Sequence, residues 1–146
     1  MDIKEFRREL FIVAYDLQKL LRDAVAPICL RYGLTLQQMH VLVELAGVPG
    51  QTLSQLSARS GILRTNFSGV CRKLEEQGLV ERRRSEHDRR AFVLHVTDEG
   101  SAVLARIDAD VRQRYSEVFD SEPQKTFDTI LAGFKALSSF AEKLER

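Results

Sequence analysis

The sequence predicts a mainly α-helical fold that carries one small β-hairpin. Three observations predict it. Apolar residues recur every three or four positions along most of the 146 residues, a spacing that gathers them on one face of a helix. At two places a threonine stands three residues ahead of a glutamine, the spacing of a helix-opening capping box. Only between residues 79 and 96 does the apolar period shorten toward two, as strands require. With 44% hydrophobic and 29% charged residues, 3 prolines and 8 glycines, the composition is that of a folded chain, and one domain spanning 1–146 is expected.

The first element runs from Ile3 to Cys29, where Ile3, Phe6, Leu10, Val13, Leu17, Leu20, Leu21, Val25 and Ile28 form a helical stripe. Pro27 falls late within it and should kink or loosen the last turns, and Gly33 should stop it. So long a helix invites a partner, either another long helix or another subunit. Thr35 and Gln38 then frame a helix to about Ala46, and Gly47-Val48-Pro49-Gly50 breaks the chain. Thr52 and Gln55 open a short helix to about Ser60. Gly61 turns the chain, and a further helix runs from Leu63 to Gln77, stopped by Gly78.

The hairpin follows. Leu79–Arg84 and Ala91–Val96 read as strands around the polar turn Ser85-Glu86-His87-Asp88, with Phe92, Leu94 and Val96 on one face. Thr97 caps the next helix, with Asp98 and Glu99 in its first turn, where the helix dipole favours acids. Its stripe is Val103, Leu104, Ile107, Val111, Tyr115 and Val118. Ser121-Glu122-Pro123-Gln124 restarts a last helix in capping-box spacing, and its stripe runs from Phe127 to Leu144.

Net charge is only +1, but the charge is unevenly spread. Arg59 to Arg90 holds nine basic against five acidic residues, and the rest of the chain holds 13 against 16. A basic patch on a neutral chain is the footprint of a polyanion partner or simply a solvated face. The start of the chain is too charged for a secretory signal, and no apolar run is long enough to span a bilayer. Two cysteines do not make a disulfide framework, so a reducing, cytoplasmic setting is expected.

The order helix, turn, helix, hairpin puts the basic charge on the last two elements. Leu56, Ile62, Phe67 and Val70 stand where a helix-turn-helix needs its core, and Ser57 is small where the two helices cross. The second helix then fits the DNA major groove, and arginines at the hairpin tip reach a neighbouring minor groove or the backbone.

Three segments carry a family resemblance: Leu74-Glu75-Glu76-Gln77-Gly78-Leu79-Val80-Glu81-Arg82, Asp88-Arg89-Arg90, and Val96-Thr97-Asp98-Glu99-Gly100. Together they resemble the winged helix-turn-helix signature of the MarR family of bacterial transcriptional regulators, and the flanking helices extend the likeness over essentially the whole chain. The resemblance implies a DNA-binding lobe at 35–97 and dimerisation helices at 1–34 and 98–146. It implies a homodimer on a pseudo-palindromic operator of double-stranded DNA, repression as the default, and small-molecule or oxidant control in many members, with a small aromatic or phenolic effector as the candidate partner here.

Carried over residue by residue, the recognition helix falls on Arg64, Thr65, Asn66, Ser68, Gly69, Arg72 and Lys73. The chemistry suits reading: asparagine pairs with adenine, arginine with guanine, and the hydroxyls with base or phosphate. Leu63 and Gly69 depart from the family, which often has a small polar cap and a basic residue there. In the wing, Arg84, Arg89 and Arg90 are expected DNA contacts. Asp88 is expected to orient an arginine, and Arg83 to point away from Arg82 and Arg84. The family's effector pocket implies Tyr15, Arg22, Tyr32, Met39, His40 and Tyr115, each of which also reads as ordinary core or surface.

Other classes weigh less. Cys29, His40, Cys71, His87 and His95 lack the close pairing of a metal site, and the helix after the wing offers no histidine, so neither metal nor cofactor is expected. A thiol-redox regulator is an alternative. Cys71 should be buried on the recognition helix, and Cys29, near Pro27, should be the more accessible thiol. No nucleophile–base grouping or phosphate-cradling loop points to an enzyme. A dimeric protein–protein adaptor is the remaining alternative, although it would not need an arginine-rich wing.

Overall fold

The computed structural model describes residues 1–144; residues 145 and 146 of the expected C-terminal segment lie outside the described residues. The N-terminal stretch is helical as far as Arg31 but is not a uniform helix. It comprises α1 (Ile3–Leu20), a π-helical turn (Leu21–Val25) and α2 (Ala26–Arg31). The cause is Pro27. It has no N–H to offer the carbonyl of Asp23, and its ring crowds that carbonyl. The ladder widens one residue earlier, where the Ala26 N–H reaches back five residues to the carbonyl of Leu21. The expected kink is therefore a widened turn. α2 closes at Gly33, where the Leu34 N–H donates to the Cys29 carbonyl at 3.1 Å.

Both threonine boxes form as the spacing predicts. Thr35 opens α3 (Leu36–Gly47) and Thr52 opens α4 (Leu53–Ser60), each with the reciprocal glutamine bond. α5 (Arg64–Glu76) follows the turn at Gly61. β1 (Val80–Arg84) and β2 (Phe92–Val96) pair antiparallel, from Val80 opposite Val96 to Arg84 opposite Phe92. Phe92, Leu94 and Val96 share one face as expected, with Leu94 buried and Phe92 exposed, and Val93 on the other face is buried as well. Thr52, just ahead of α4, forms a β-bridge to Val93. That long-range pairing sets a third backbone segment beside the hairpin.

α6 (Asp98–Ser121) begins where Thr97 ties three segments together. Its Oγ1 donates to the Gly78 carbonyl at 2.6 Å and accepts from the Gly100 N–H at 3.1 Å, while its own N–H donates to the Leu79 carbonyl at 3.0 Å. Gly100 packs directly on this junction. A Cβ there would lie 2.2 Å from the Leu79 carbonyl oxygen and 2.8 Å from Val96 Cγ1.

The chain divides into two compact units, the first Met1–Val111 and the second beginning at Arg112, inside α6. In the first, Cys29, Leu34, Val41, Leu42, Leu56, Cys71, Leu74, Leu94 and Ile107 are fully buried, so α2 to α6 share one core. α1 buries none of its residues. In the second unit, α7 (Gln124–Leu144) also buries none, and Phe119 stacks on Phe127 with ring centroids 5.3 Å apart. Ser121 does not cap α7 as its spacing predicts. α6 runs through it, and its hydroxyl donates back to the Val118 carbonyl at 2.8 Å. Among the described residues no helix is long and apolar enough to cross a membrane.

Candidate nucleic-acid interface

The interface begins with a turn. Gly61 ends α4 at φ 65°, a left-handed conformation that strains any residue with a Cβ. Ser60, which the sequence reading passed over, braces this turn from inside. Its hydroxyl donates to the Ser57 carbonyl at 3.0 Å and accepts from the Ile62 N–H at 3.2 Å. A buried serine bonding on both sides of a helix break leaves no periodic signal to find. A second brace joins α3 to α4: Arg59 donates to Glu44 at 2.5 Å and holds that carboxyl below its usual range.

α5 then divides by face. Phe67, Val70, Cys71 and Leu74 are buried, whereas Arg64, Thr65, Asn66, Ser68, Arg72 and Lys73 are exposed, with Gly69 half-buried among them. No side chain caps its first turn, and the amides of such a turn suit a phosphate oxygen. An open groove of about 1050 Å³ lies along α4 and α5, lined in part by Ser54, Ser57, Arg64, Thr65, Ser68 and Arg72. Of the recognition-helix residues expected from sequence, Arg64, Thr65, Ser68, Gly69 and Arg72 line this groove, whereas Asn66 and Lys73 are exposed outside it.

The wing is held by its own backbone. Ser85 and Ala91 close the tip with an N–H to carbonyl bond of 2.9 Å, and Ser85 Oγ accepts from the amides of His87 and Asp88. Asp88 Oδ1 accepts from the Arg90 N–H at 2.9 Å. Asp88 thus bonds the main chain of Arg90 and not a guanidinium. Arg84 donates to the Arg89 carbonyl at 3.0 Å and lies 5.6 Å from the Phe92 ring centroid, which makes it part of the wing's frame. Arg89 and Arg90 are exposed at the tip. Arg83 pairs with Glu81, and register puts both on the strand face opposite Arg82 and Arg84.

None of the six residues of the implied effector pocket lines the α4–α5 groove. Tyr15, Arg22 and His40 are exposed, and Met39 is half-buried. Tyr32 donates to Asp110 at 2.7 Å, and that bond raises the phenol's pKa; Arg31 approaches the same carboxylate at 3.4 Å. Tyr115 is half-buried in the second unit, with the Arg114 guanidinium 5.7 Å from its ring centroid.

Both cysteines are buried and free, Cys29 with no exposed surface, so the expectation of an accessible Cys29 is overturned. The turn at Gly33 folds α2 onto the core and covers it. Burial raises the Cys29 thiol's pKa and pushes that of Cys71 up to about 11, which favours the neutral thiol at both. Among the described residues no group of three His, Cys, Asp or Glu is placed to hold a metal ion.

A buried-core helix-turn-helix with a polar reading face and an arginine-tipped wing defines a winged-helix DNA-binding regulator. Residues 32–91 match the family model described as MarR family. The homoprotocatechuate degradative operon repressor of Escherichia coli is 30% identical over 116 residues, covering 77% of this chain and 78% of that protein. The chain belongs to the MarR family of transcriptional regulators. Among solved structures, the transcriptional repressor CouR bound to a 23-mer DNA duplex is 28% identical, with a TM-score of 0.76 over 94% of this chain and 98% of its own. NadR in complex with 4-hydroxyphenylacetate is 25% identical, with a TM-score of 0.75 over 86% and 89%.

Proposed function

We propose that this regulator represses transcription as a homodimer on a pseudo-palindromic operator and is released by a small phenolic acid. In this reading residues 35–97 form the DNA-binding lobe, and 1–34 and 98–146 form the dimerisation helices. Arg64, Thr65, Asn66, Ser68, Gly69, Arg72 and Lys73 meet the major groove, while Arg89 and Arg90, with Arg84 framing them, meet the flanking groove or backbone. The chain would act by binding rather than catalysis, in the cytoplasm where the DNA is.

The observation that carries the reading is the division of α5 into a buried apolar face and an exposed polar one beside the basic wing. A helix so divided has its DNA side ready and its core side satisfied. Dimerisation rests on apolar side chains left in solvent: Phe11 is 71% exposed, Phe119 58% and Leu131 57%. Patches of this kind on α1, α6 and α7 mark an interface, and a second copy would bury them. CouR's DNA complex supports the docking mode. The effector class rests on chemistry common to two relatives. Homoprotocatechuate, which one relative's name carries, and the 4-hydroxyphenylacetate bound to NadR are both hydroxyphenylacetates. Arg22 is a cation suited to such a carboxylate, and Tyr15, Tyr32, Met39 and His40 are aromatic and polar side chains suited to a phenol.

The test is a binding selection from random duplexes, followed by titration of the recovered site with and without 4-hydroxyphenylacetate. A dimer-sized complex that the phenolic acid dissociates is expected. A folded monomer at micromolar concentration in sedimentation, or failure to enrich any duplex, would overturn the reading.

A further inference from the structure

Arg82 sits on β1, in the strand that leads to the wing tip, and Glu75 sits in the last turns of α5. The Arg82 guanidinium donates twice to one carboxylate oxygen of Glu75, from Nε at 3.2 Å and from Nη2 at 2.7 Å. The two side chains are only 38% and 29% exposed. Arg82 also lies 5.7 Å from the centroid of the Phe92 ring, which Arg84 shares at 5.6 Å. Register explains the stack: Arg82 faces Leu94 and Arg84 faces Phe92, so both arginines lie on Phe92's side of the ribbon. Arg82 and Glu75 also line the α4–α5 groove, beside the reading face.

We propose that Glu75 and Arg82, with Phe92 as their platform, are positioning residues that fix the wing's angle against the recognition helix. The inference rests on the docking of α5 and the wing described under Proposed function. A DNA duplex fixes the distance between a major groove and the neighbouring minor groove. A protein that enters both must hold its two reading parts at that spacing. α5 and β1 are joined by the short turn at residues 77–79, and the Glu75–Arg82 bond is a side-chain link across it. A guanidinium stacked on a ring and bonded twice loses little further freedom on docking. A wing attached by its backbone alone would have to be ordered by the DNA, and that ordering would lower affinity. Arg82 thereby differs from Arg89 and Arg90, which stand at the tip.

The test turns on sign. Glu75→Gln removes an acid beside a DNA-binding face, so electrostatics alone predicts tighter binding. Loss of positioning predicts weaker binding, by about five-fold for a half-exposed pair with a stacked partner. On the tightest duplex from a random-pool selection, the expected results are weaker binding by Glu75→Gln and Arg82→Ala alike and no further loss in the double variant. The slope of affinity against salt should stay unchanged. Hydroxyl-radical protection should fade at the flanking minor groove, while guanine protection in the major groove persists. Arg82→Lys keeps the charge but not the fork or the stack, and should behave as Arg82→Ala, with thermal melts showing each variant folded. Tighter binding by Glu75→Gln overturns the proposal. A salt slope reduced by about one in Arg82→Ala would also overturn it, making Arg82 a phosphate contact. If the parent chain binds no duplex, the functional reading fails first, an outcome distinct from a parent that binds and variants that match it.

Discussion

Gly100→Ala adds a single methyl group at the most crowded glycine of the chain. The new Cβ would lie 2.2 Å from the Leu79 carbonyl oxygen and 2.8 Å from Val96 Cγ1. The first neighbour is backbone, and its oxygen already accepts the Thr97 N–H, so it cannot swing aside as a side-chain tip would. Relief requires the start of α6 to move off the hairpin by about 1 Å, stretching the Thr97 bonds. Forced overpacking of this kind costs about 1–3 kcal/mol; rigid backbone on one side puts this case at the upper end. For a chain of this size that lowers Tm by about 5–10 °C. Gly69→Ala is the matched control. Nothing lies within 4 Å of its added Cβ, and alanine is the better helix former by about 1 kcal/mol, so Tm should rise by about 2–4 °C. Circular-dichroism melts at one fixed protein concentration measure both, since a dimer's Tm depends on concentration. A Gly100→Ala melt within about 1 °C of the parent would refute the crowding argument. A fall in Gly69→Ala would show that the glycine has a role in the helix that its open surroundings hide.

Three further outcomes are expected. Asp88→Ala removes a negative charge from the wing yet should weaken DNA binding in anisotropy titrations, because the Arg90 N–H loses its acceptor; tighter binding would make Asp88 an ordinary surface acid. Asn66→Ala and Ser68→Ala should lose preference for the selected duplex while keeping affinity for random DNA within about two-fold, since base contacts carry sequence information and phosphate contacts do not; unchanged preference would move the reading face elsewhere. Cys29 and Cys71 should be inert to a thiol reagent in the folded protein and react once it is denatured. Because burial raises the Cys71 pKa from 9.0 to about 11, the unfolded state loses the proton first, and stability should fall as pH climbs through that window.

Much of this was legible because it is local. Helix boxes at Thr35 and Thr52, the cap at Thr97 and the buried face of α5 are each set by residues within one or two turns. What the sequence hid depends on distant partners. β2 is bridged at Val93 by Thr52, some forty residues earlier in the chain, and no alternation within the strand reveals that. Cys29 is buried because of how the chain folds after Gly33. Asp88 was expected to hold an arginine side chain, and its bond to the Arg90 amide instead could not be read from the sequence. Arg82 was one of three adjacent arginines, and only the register and the bend between α5 and β1 separate it from the others.

The π turn at Leu21–Val25 gives the N-terminal rod a change of phase. Each helical residue advances the side-chain direction by about 100°, so a turn that takes in one extra residue swings everything after it by about that angle without lengthening the rod to match. Upstream, α1 buries nothing; downstream, α2 buries Ile28 and Cys29 in the core of the lobe. A straight helix with one apolar stripe would have to aim both stretches the same way. The extra residue lets a single uninterrupted segment dedicate its first half to an outside surface and its second half to its own core.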